Sequence, residues 1–223
     1  METEIGGSVP NKNSVTCIVV GLNEWDRYTK PMLESARAND PDLNLVLVDN
    51  GSDVHYPKME GVTLLRSGIR RSYAGGINFG ITWAPDSDWY MVINNDTLIH
   101  KPISHRIEQL QQNALYGFYL EPKNKTALFL WDYLCGWCLI ASKAVLSAIG
   151  EFDERCAPMW FEDADYSARA LKAGFTLEVL DREDWGLQHL EDERKVERKA
   201  YITRHMRERL AIKDYVRRKH GIF

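Results

Sequence analysis

A seven-residue apolar run, Val15–Gly21 (VTCIVVG), constrains the fold more than any other stretch. It is short, β-branched and free of polar alternation. That is the pattern of a strand covered on both faces, and such strands belong to parallel sheets flanked by helices. Leu43–Val48 (LNLVLV) and Trp89–Ile93 (WYMVI) repeat it, and Val62–Arg66 adds a shorter strand. A helical pattern follows the first strand to about Ala38, interrupted or restarted by Pro31, and another spans Tyr73–Trp83 despite its glycines. The first half therefore reads β-α-β-β-α-β. Two of its strands stop in polar turns, Asp49-Asn50-Gly51-Ser52 and Asn94-Asn95-Asp96-Thr97. Parallel α/β sheets bind ligands at those carboxyl ends.

The second half is less regular. The pattern predicts a helix over Pro102–Asn113 and two or three strands between Ala114 and Ile140. A short helix over Ser142–Ile149 follows, with Ser142 as its cap. Asp163–Ala173 reads as a helix closed by Gly174, Thr176–Leu180 as the last strand, and roughly 191–219 as one long helix. Composition limits what such a chain does. With 44% hydrophobic and 27% charged residues among 223, it can bury a core. No apolar run approaches the roughly 20 residues of a membrane span, and the polar first fourteen residues carry no signal core, which places the protein in the cytoplasm.

The net charge of −4 conceals an asymmetry. Residues 195–223 hold ten Lys/Arg against three Asp/Glu, so the remainder carries a net −11. An acidic body makes nucleic acid a poor partner. The tail, with Ile202, Met206 and Leu210 on one stripe, reads as a helix packed back on the domain with a solvated basic face; peripheral membrane contact is the sharper alternative. Of the four cysteines, Cys135 and Cys138 have redox-like spacing. They sit in WDYLCGWCLIAS, which reads as a strand, and Cys17 and Cys156 supply no second close pair for zinc. Buried, reduced thiols are the expectation.

Six segments in order carry a resemblance: VTCIVVGLNE (15–24), VLVDNGS (46–52), SYAGGINFGI (72–81), DWYMVINNDT (88–97), GEFDE (150–154) and WFEDADYSARALKAGF (160–175). Together they resemble the family 2-type glycosyltransferases of the GT-A fold, over about residues 15–190. The resemblance implies an α/β, Rossmann-like, mostly parallel nucleotide-binding sheet with helices on both faces and a C-terminal helical extension. It also implies a donor-binding half (15–97) and an acceptor and catalytic half (98–190), between a flexible 1–14 and a basic helix over 191–223.

Roles follow position by position as implications of that resemblance. Gly21, Leu22, Asn23 and Glu24 match the donor loop after the first strand, and Asp49, with Asn50 beside it, matches the carboxylate that accepts from the base. Gly75 and Asn78 fall in the segment near ribose and phosphates. Asn94, Asn95 and Asp96 occupy the D-x-D position, with Asn94 departing from the usual first acid. Asp96 and His189 would hold a divalent metal, Mn²⁺ or Mg²⁺, with the diphosphate completing the site. Asp163 matches the catalytic base of an inverting transfer, with Glu162 orienting acceptor or base and Trp137 and Trp160 as an acceptor platform. The implied partners are a nucleotide-sugar donor, UDP- first and dTDP- or GDP- next, and a glycan or lipid-linked acceptor. Two other readings are a nucleotidyltransferase, disfavoured because VVGLNEWDR has one glycine and then an acid, and a nucleotide-sugar-binding protein weakened by Asn94.

Overall fold

A computed structural model describes residues 15–123, 129–190 and 195–221. The flexible segment expected over 1–14, and the start of the tail helix expected at 191, lie outside the described residues. Strands β1 (Val15–Gly21), β2 (Asn44–Asp49), β3 (Val62–Arg66), β4 (Trp89–Asn94), β6 (Ala114–Gly117), β9 (Cys138–Ser142) and β10 (Thr176–Val179) form one sheet. Their order is β10-β6-β9-β4-β1-β2-β3. All pairs are parallel except those of β9, which runs antiparallel to both β4 and β6. This is the expected mostly parallel sheet, with β1 in its interior between β4 and β2 and all seven β1 residues buried.

Alternate residues of each strand feed two cores. Cys17, Val19, Leu45, Leu47, Met91 and Ile93 meet helix α1 (Lys30–Asn39) on one face. Ile18, Val20, Val46, Val48 and Val92 meet α2 (Tyr73–Trp83), α4 (Lys143–Ile149) and α5 (Glu162–Lys172) on the other. Two glycines let α2 lie close to the sheet. A Cβ on Gly80 would stand 2.6 Å from Ile18 Cγ2, and one on Gly76 2.8 Å from Val20 Cγ1. The glycines of α2 thus serve helix–sheet approach as well as any ligand.

Several elements depart from expectation. The stretch after β1 opens with a five-residue π-type turn, Trp25–Thr29, and α1 begins only around Pro31 in its first turn. The helix expected over 102–113 shrinks to α3 (Ser104–Glu108), whose start is fixed where the Ile103 and Ser104 amides donate to the buried Asp40 carboxylate at 2.7 and 2.6 Å. Cys135 and Cys138 are not on one strand: β8 (Tyr133–Leu134) ends before them, Gly136 and Trp137 turn, and β9 starts at Cys138. No cysteine is in a disulfide, and burial holds the Cys17 and Cys138 thiols far above the usual range. Two short pairings escaped the sequence pattern, β7 (Leu120–Glu121) with β8, and β5 (Thr97–Ile99) with β11 (Leu187–His189).

The tail is two helices, α6 (Lys195–Arg204) and α7 (Met206–Lys219), parted at His205. The break shifts the helical phase, so the stripe Ile202, Met206, Leu210 does not pack as a unit. Instead Ile212 and Val216 are buried in a third core with Phe129, Tyr133, Cys156, Phe161 and Ala164, while Met206 and Leu210 are 39% and 44% exposed. Polar anchors hold α7 against α5. Asp165, fully buried, takes Arg169 Nε at 2.9 Å, Lys219 Nζ at 2.6 Å and His220 Nε2 at 2.9 Å. Burial alone would raise the Asp165 pKa, but the hydrogen bonds from His220 and Lys219 and the charges of Arg169 and Lys219 reverse the shift and lower it. None of the described helices is long and apolar enough to cross a membrane.

The packing register of α7 is directly testable. Ile212→Ala should cost about 2–5 kcal/mol of stability in a denaturant titration. Leu210→Ala should change it by less than about 0.5 kcal/mol. The reverse ranking would restore the stripe expected from sequence.

Candidate active site

The carboxyl ends of β1, β2 and β4 are level, since Gly21 pairs with Asp49 and Val20 with Asn94. At the β1 end, Asn23 (φ 54°) and Glu24 (φ 53°) are both left-handed, a costly conformation for residues with side chains. A lacing to the loop after β2 holds them there. Asn23 N donates to Ser52 Oγ at 2.9 Å and its Nδ2 to Asp53 Oδ2 at 3.1 Å, while Asp53 N donates back to Asn23 Oδ1 at 2.9 Å. The Tyr56 hydroxyl donates to the Asn23 carbonyl. Gly21 has no room for a side chain, because a Cβ would fall 2.8 Å from the Tyr56 ring.

Asp49 lies under this lacing, 1% exposed, and accepts the Ser52 and Tyr56 amides at 3.0 and 3.2 Å. Asn50 clamps the next loop through both ends of its amide: Nδ2 donates to Arg71 O at 3.1 Å and Oδ1 accepts Arg71 N at 3.2 Å. Asn78 is equally committed, accepting Phe152 N at 2.8 Å and donating to Phe152 O and Glu154 Oε1. All three were expected at the donor. The structure gives each a fastening task, with Asn78 holding residues 152–154 rather than facing an open space. Gly75 sits beside that loop, a Cβ there falling 3.0 Å from Glu154 Oε2. Leu22 is half-buried and Glu24 exposed.

Asp96 and His189, 93 positions apart, meet through the β5–β11 ribbon. His189 pairs with Thr97, and Leu190 N donates to Asp96 O at 2.8 Å. His189 Nε2 comes to 3.3 Å from Asp96 Oδ1, both side chains nearly buried. Trp137 lies flat on the imidazole, ring centroids 4.9 Å apart at 7°. It also packs on Phe118 at 5.4 Å. Trp137 is half-buried, with the histidine on its face and Phe118 beside it. Asn95 Nδ2 donates to Thr29 Oγ1 at 2.9 Å, tying this loop to the turn after β1.

The acid pair opens α5. Trp160 (φ 91°) and Phe161 (φ 63°) are consecutive left-handed residues, so the chain reaches Glu162 through a second strained turn. Asp163 Oδ2 accepts Gly136 N at 2.9 Å, and Oδ1 accepts Ala164 N at 2.8 Å. Burial raises the Asp163 pKa, and these two amides work against that rise. Glu162 is 8% exposed, and its Oε2 has no hydrogen-bond partner among the described residues. Burial first, and the Asp163 charge second, push Glu162 up to about 8. The two amides favour the charged form of Asp163, while Glu162 keeps its proton at neutral pH.

Tyr73, at the start of α2, joins the two groups of acids. Its hydroxyl donates to Asn94 Oδ1 at 2.7 Å. Burial, then the charges of Glu162, Asp96 and Asp163, hold that hydroxyl well above its ordinary pKa. The turn at 136–137 links the two groups directly, since Gly136 N bonds Asp163 and the next residue, Trp137, stacks on His189. Sequence reasoning assigned no task to Tyr73 or Gly136. Neither carries a local signal, because their importance lies in contacts with residues 21 and 27 positions away.

No protein-family model matches this sequence, and neither does any curated protein. Solved structures share its fold. A mannosyltransferase, PcManGT from Pyrobaculum calidifontis, in complex with GDP-Man and Mn²⁺, aligns with TM-score 0.58 at 14% identity, over 81% of this chain and 58% of that one. GalNAc-T7 with UDP, GalNAc and Mn²⁺ aligns with TM-score 0.61 at 12% identity, over 75% and 42%. S. aureus TarS aligns with TM-score 0.55 at 13% identity, over 75% and 35%. The fold is thus the GT-A type that the sequence motifs resemble, and the chain spans about a third to three-fifths of each of these structures.

The raised pKa of Glu162 has a thermodynamic signature. Between its ordinary value of 4.5 and about 8, the folded state binds a proton that the unfolded state has released, so stability falls as pH rises through that window. Glu162→Gln removes the titrating group. Melting temperatures measured from pH 5 to pH 8 should decline less in the variant than in the unsubstituted protein, and parallel curves would mean an ordinary Glu162.

Proposed function

We propose that the protein is an inverting, metal-dependent glycosyltransferase that moves a sugar from a nucleoside diphosphate to an acceptor hydroxyl. The observation that carries this reading is that Asp96–His189 and Glu162–Asp163 meet at the Gly136–Trp137 turn, at the carboxyl edge of a GT-A sheet. UDP is the first donor candidate and GDP or dTDP the next; the similar structures were determined with GDP-Man and with UDP. The acceptor is a glycan or a lipid-linked sugar.

The donor set suits a divalent cation that is shared with the substrate. Among the described residues no three His, Cys, Asp or Glu side chains converge as a closed metal site. Asp96 and His189, 3.3 Å apart, offer one oxygen and one nitrogen, leaving the other positions to diphosphate oxygens and water. The nitrogen tilts the choice toward Mn²⁺, present in both nucleotide-bound relatives of the fold. When bound, such a cation stabilises the charge that accumulates on the departing diphosphate. Asn94, with its oxygen taken by Tyr73, keeps its amide Nδ2 as a donor toward the nucleotide, so its neutrality does not argue for a lost activity.

Asp163 acts as the base. The acceptor oxygen forms its bond to the anomeric carbon while the bond to the diphosphate breaks on the opposite side, and the hydroxyl proton passes to Asp163. Gly136 and Ala164 amides keep that carboxylate ionised and aimed, and protonated Glu162 offers a hydrogen bond beside it. The tail fits a peripheral enzyme. Met206 and Leu210 are exposed on one helical face of α7, which continues to the half-buried Lys213 and Arg217. That combination suits the surface of an anionic membrane, where a lipid-linked acceptor resides. Co-sedimentation with phosphatidylserine-containing vesicles should fall on Leu210→Glu; equal sedimentation of both proteins removes the membrane from this proposal.

Calorimetric titration with UDP, GDP and dTDP, with and without Mn²⁺, tests the core claim. One nucleotide should bind in a metal-dependent manner. Asp96→Ala should weaken that binding at least about tenfold, about 1.4 kcal/mol, and change little in EDTA. Asp163→Asn should keep nucleotide affinity yet abolish transfer. Absence of any nucleotide binding sinks the proposal, and near-normal turnover of Asp163→Asn removes it as base.

A further inference from the structure

We infer that the corner between α6 and α7 completes an acceptor subsite, in which Trp160, Tyr201 and His205 form a three-ring platform for a carbohydrate ring beside Glu162–Asp163. The inference rests on the glycosyl-transfer reading and names the residues that recognise its acceptor.

Three observations lead there. Trp160 is only two positions before the proton-holding Glu162, and the strained turn at 160–161 separates neighbours of opposite fate. Phe161 goes into the third core, 5% exposed, while Trp160 rests partly buried against that core's outer side. A bulky residue at φ 91° costs free energy, and a turn that only had to fill a core would not require it. Second, the tail brings two further rings to the same place. Tyr201 lies 5.6 Å from Trp160 at 46°, His205 lies 4.4 Å from Tyr201 at 38°, and Trp160 and His205 are 6.4 Å apart. Tyr201 is 37% exposed and the His205 side chain 29% exposed, so the cluster presents ring surface to the outside and does not close on itself.

Third, this is a built position. Ile212 and Val216 in the core, with Lys219 and His220 on Asp165, fix α7 to the helix that carries the acid pair. Tyr215 and Lys219 also bond Asp153, the latter at 2.8 Å. The break at His205 then turns α6 so that its last turn faces Trp160. On the next turn Arg209 covers the Phe161 ring at 4.9 Å, and its Nε is buried with no partner among the described residues. Tilted, half-exposed aromatic faces with a polar edge at hand match the apolar C–H face and hydroxyl rim of a pyranose. Trp137, the other ring in reach by sequence, is stacked on His189 and packed against Phe118.

The test uses the full chain with saturating UDP and Mn²⁺ and four probes, the methyl glycosides of glucose, galactose, mannose and N-acetylglucosamine. Binding is read by saturation-transfer NMR and titration. At least one glycoside should bind, and Tyr201→Ala should weaken it at least fivefold while Tyr201→Phe keeps it. Melting temperature and UDP affinity should be unchanged in both variants, since Tyr201 is a surface ring away from the nucleotide. Trp160→Ala should lose the same glycoside. The inference is overturned if the preferred glycoside binds Tyr201→Ala and Trp160→Ala as it binds the unsubstituted chain, or if no glycoside binds a protein that still takes UDP with metal. A protein that takes none of UDP, GDP and dTDP would fail the glycosyl-transfer reading instead, and one that takes GDP or dTDP in place of UDP is probed with that nucleotide, which keeps the two outcomes apart.

Discussion

Everything in this molecule depends on the burial of β1 from both sides. No residue of Val15–Gly21 reaches solvent, so the strand must have a neighbour on each edge and a helical layer on each face. In-register parallel pairing with β2 and β4 then brings three strand ends level, and the polar residues that terminate them have one place to gather. The site is the consequence of a hydrophobic requirement. The apolar runs decide where the chain must turn, and the turns carry the chemistry.

Within the site, two carboxylates two atoms of backbone apart are kept different by their surroundings. Asp163 receives two amide hydrogen bonds, which stabilise its charge, while Glu162 is buried with an oxygen that nothing in the described chain satisfies. Repulsion from Asp163 adds to the burial that pushes Glu162 up to about 8. Two positions further on, Asp165 is fully buried but surrounded by Arg169, Lys219 and His220, and its pKa moves the other way. The same helix therefore carries carboxyl groups shifted in opposite directions, and their partners decide which way each one moves.

The sheet and the acidic ends of its strands were legible in the sequence because two-sided burial leaves a simple trace, a continuous apolar run followed by Asp or Asn. Asp49, Asp96 and Asp163 could be placed on their elements from that trace and from the family resemblance. What the side chains do was less legible. Asn50 and Asn78 look like ligand groups in a motif, yet their amides are spent on loop backbones that lie 21 and 74 positions away. Trp137 and His189 find each other across 52 positions through a three-residue ribbon too short to show any alternation. The tail failed for a different reason. One break at His205 rotates the helical phase, so the stripe read from spacing is not the face that packs.

The end of α7 reaches back to α5. Lys219 and His220 grip Asp165, on the helix that carries Glu162 and Asp163. His189 is held in the same way at Asp96, by a buried polar contact beside the other group of acids. A segment far outside the motifs thus helps to fix the helix that presents the acid pair, and whatever loosens α7 loosens that helix.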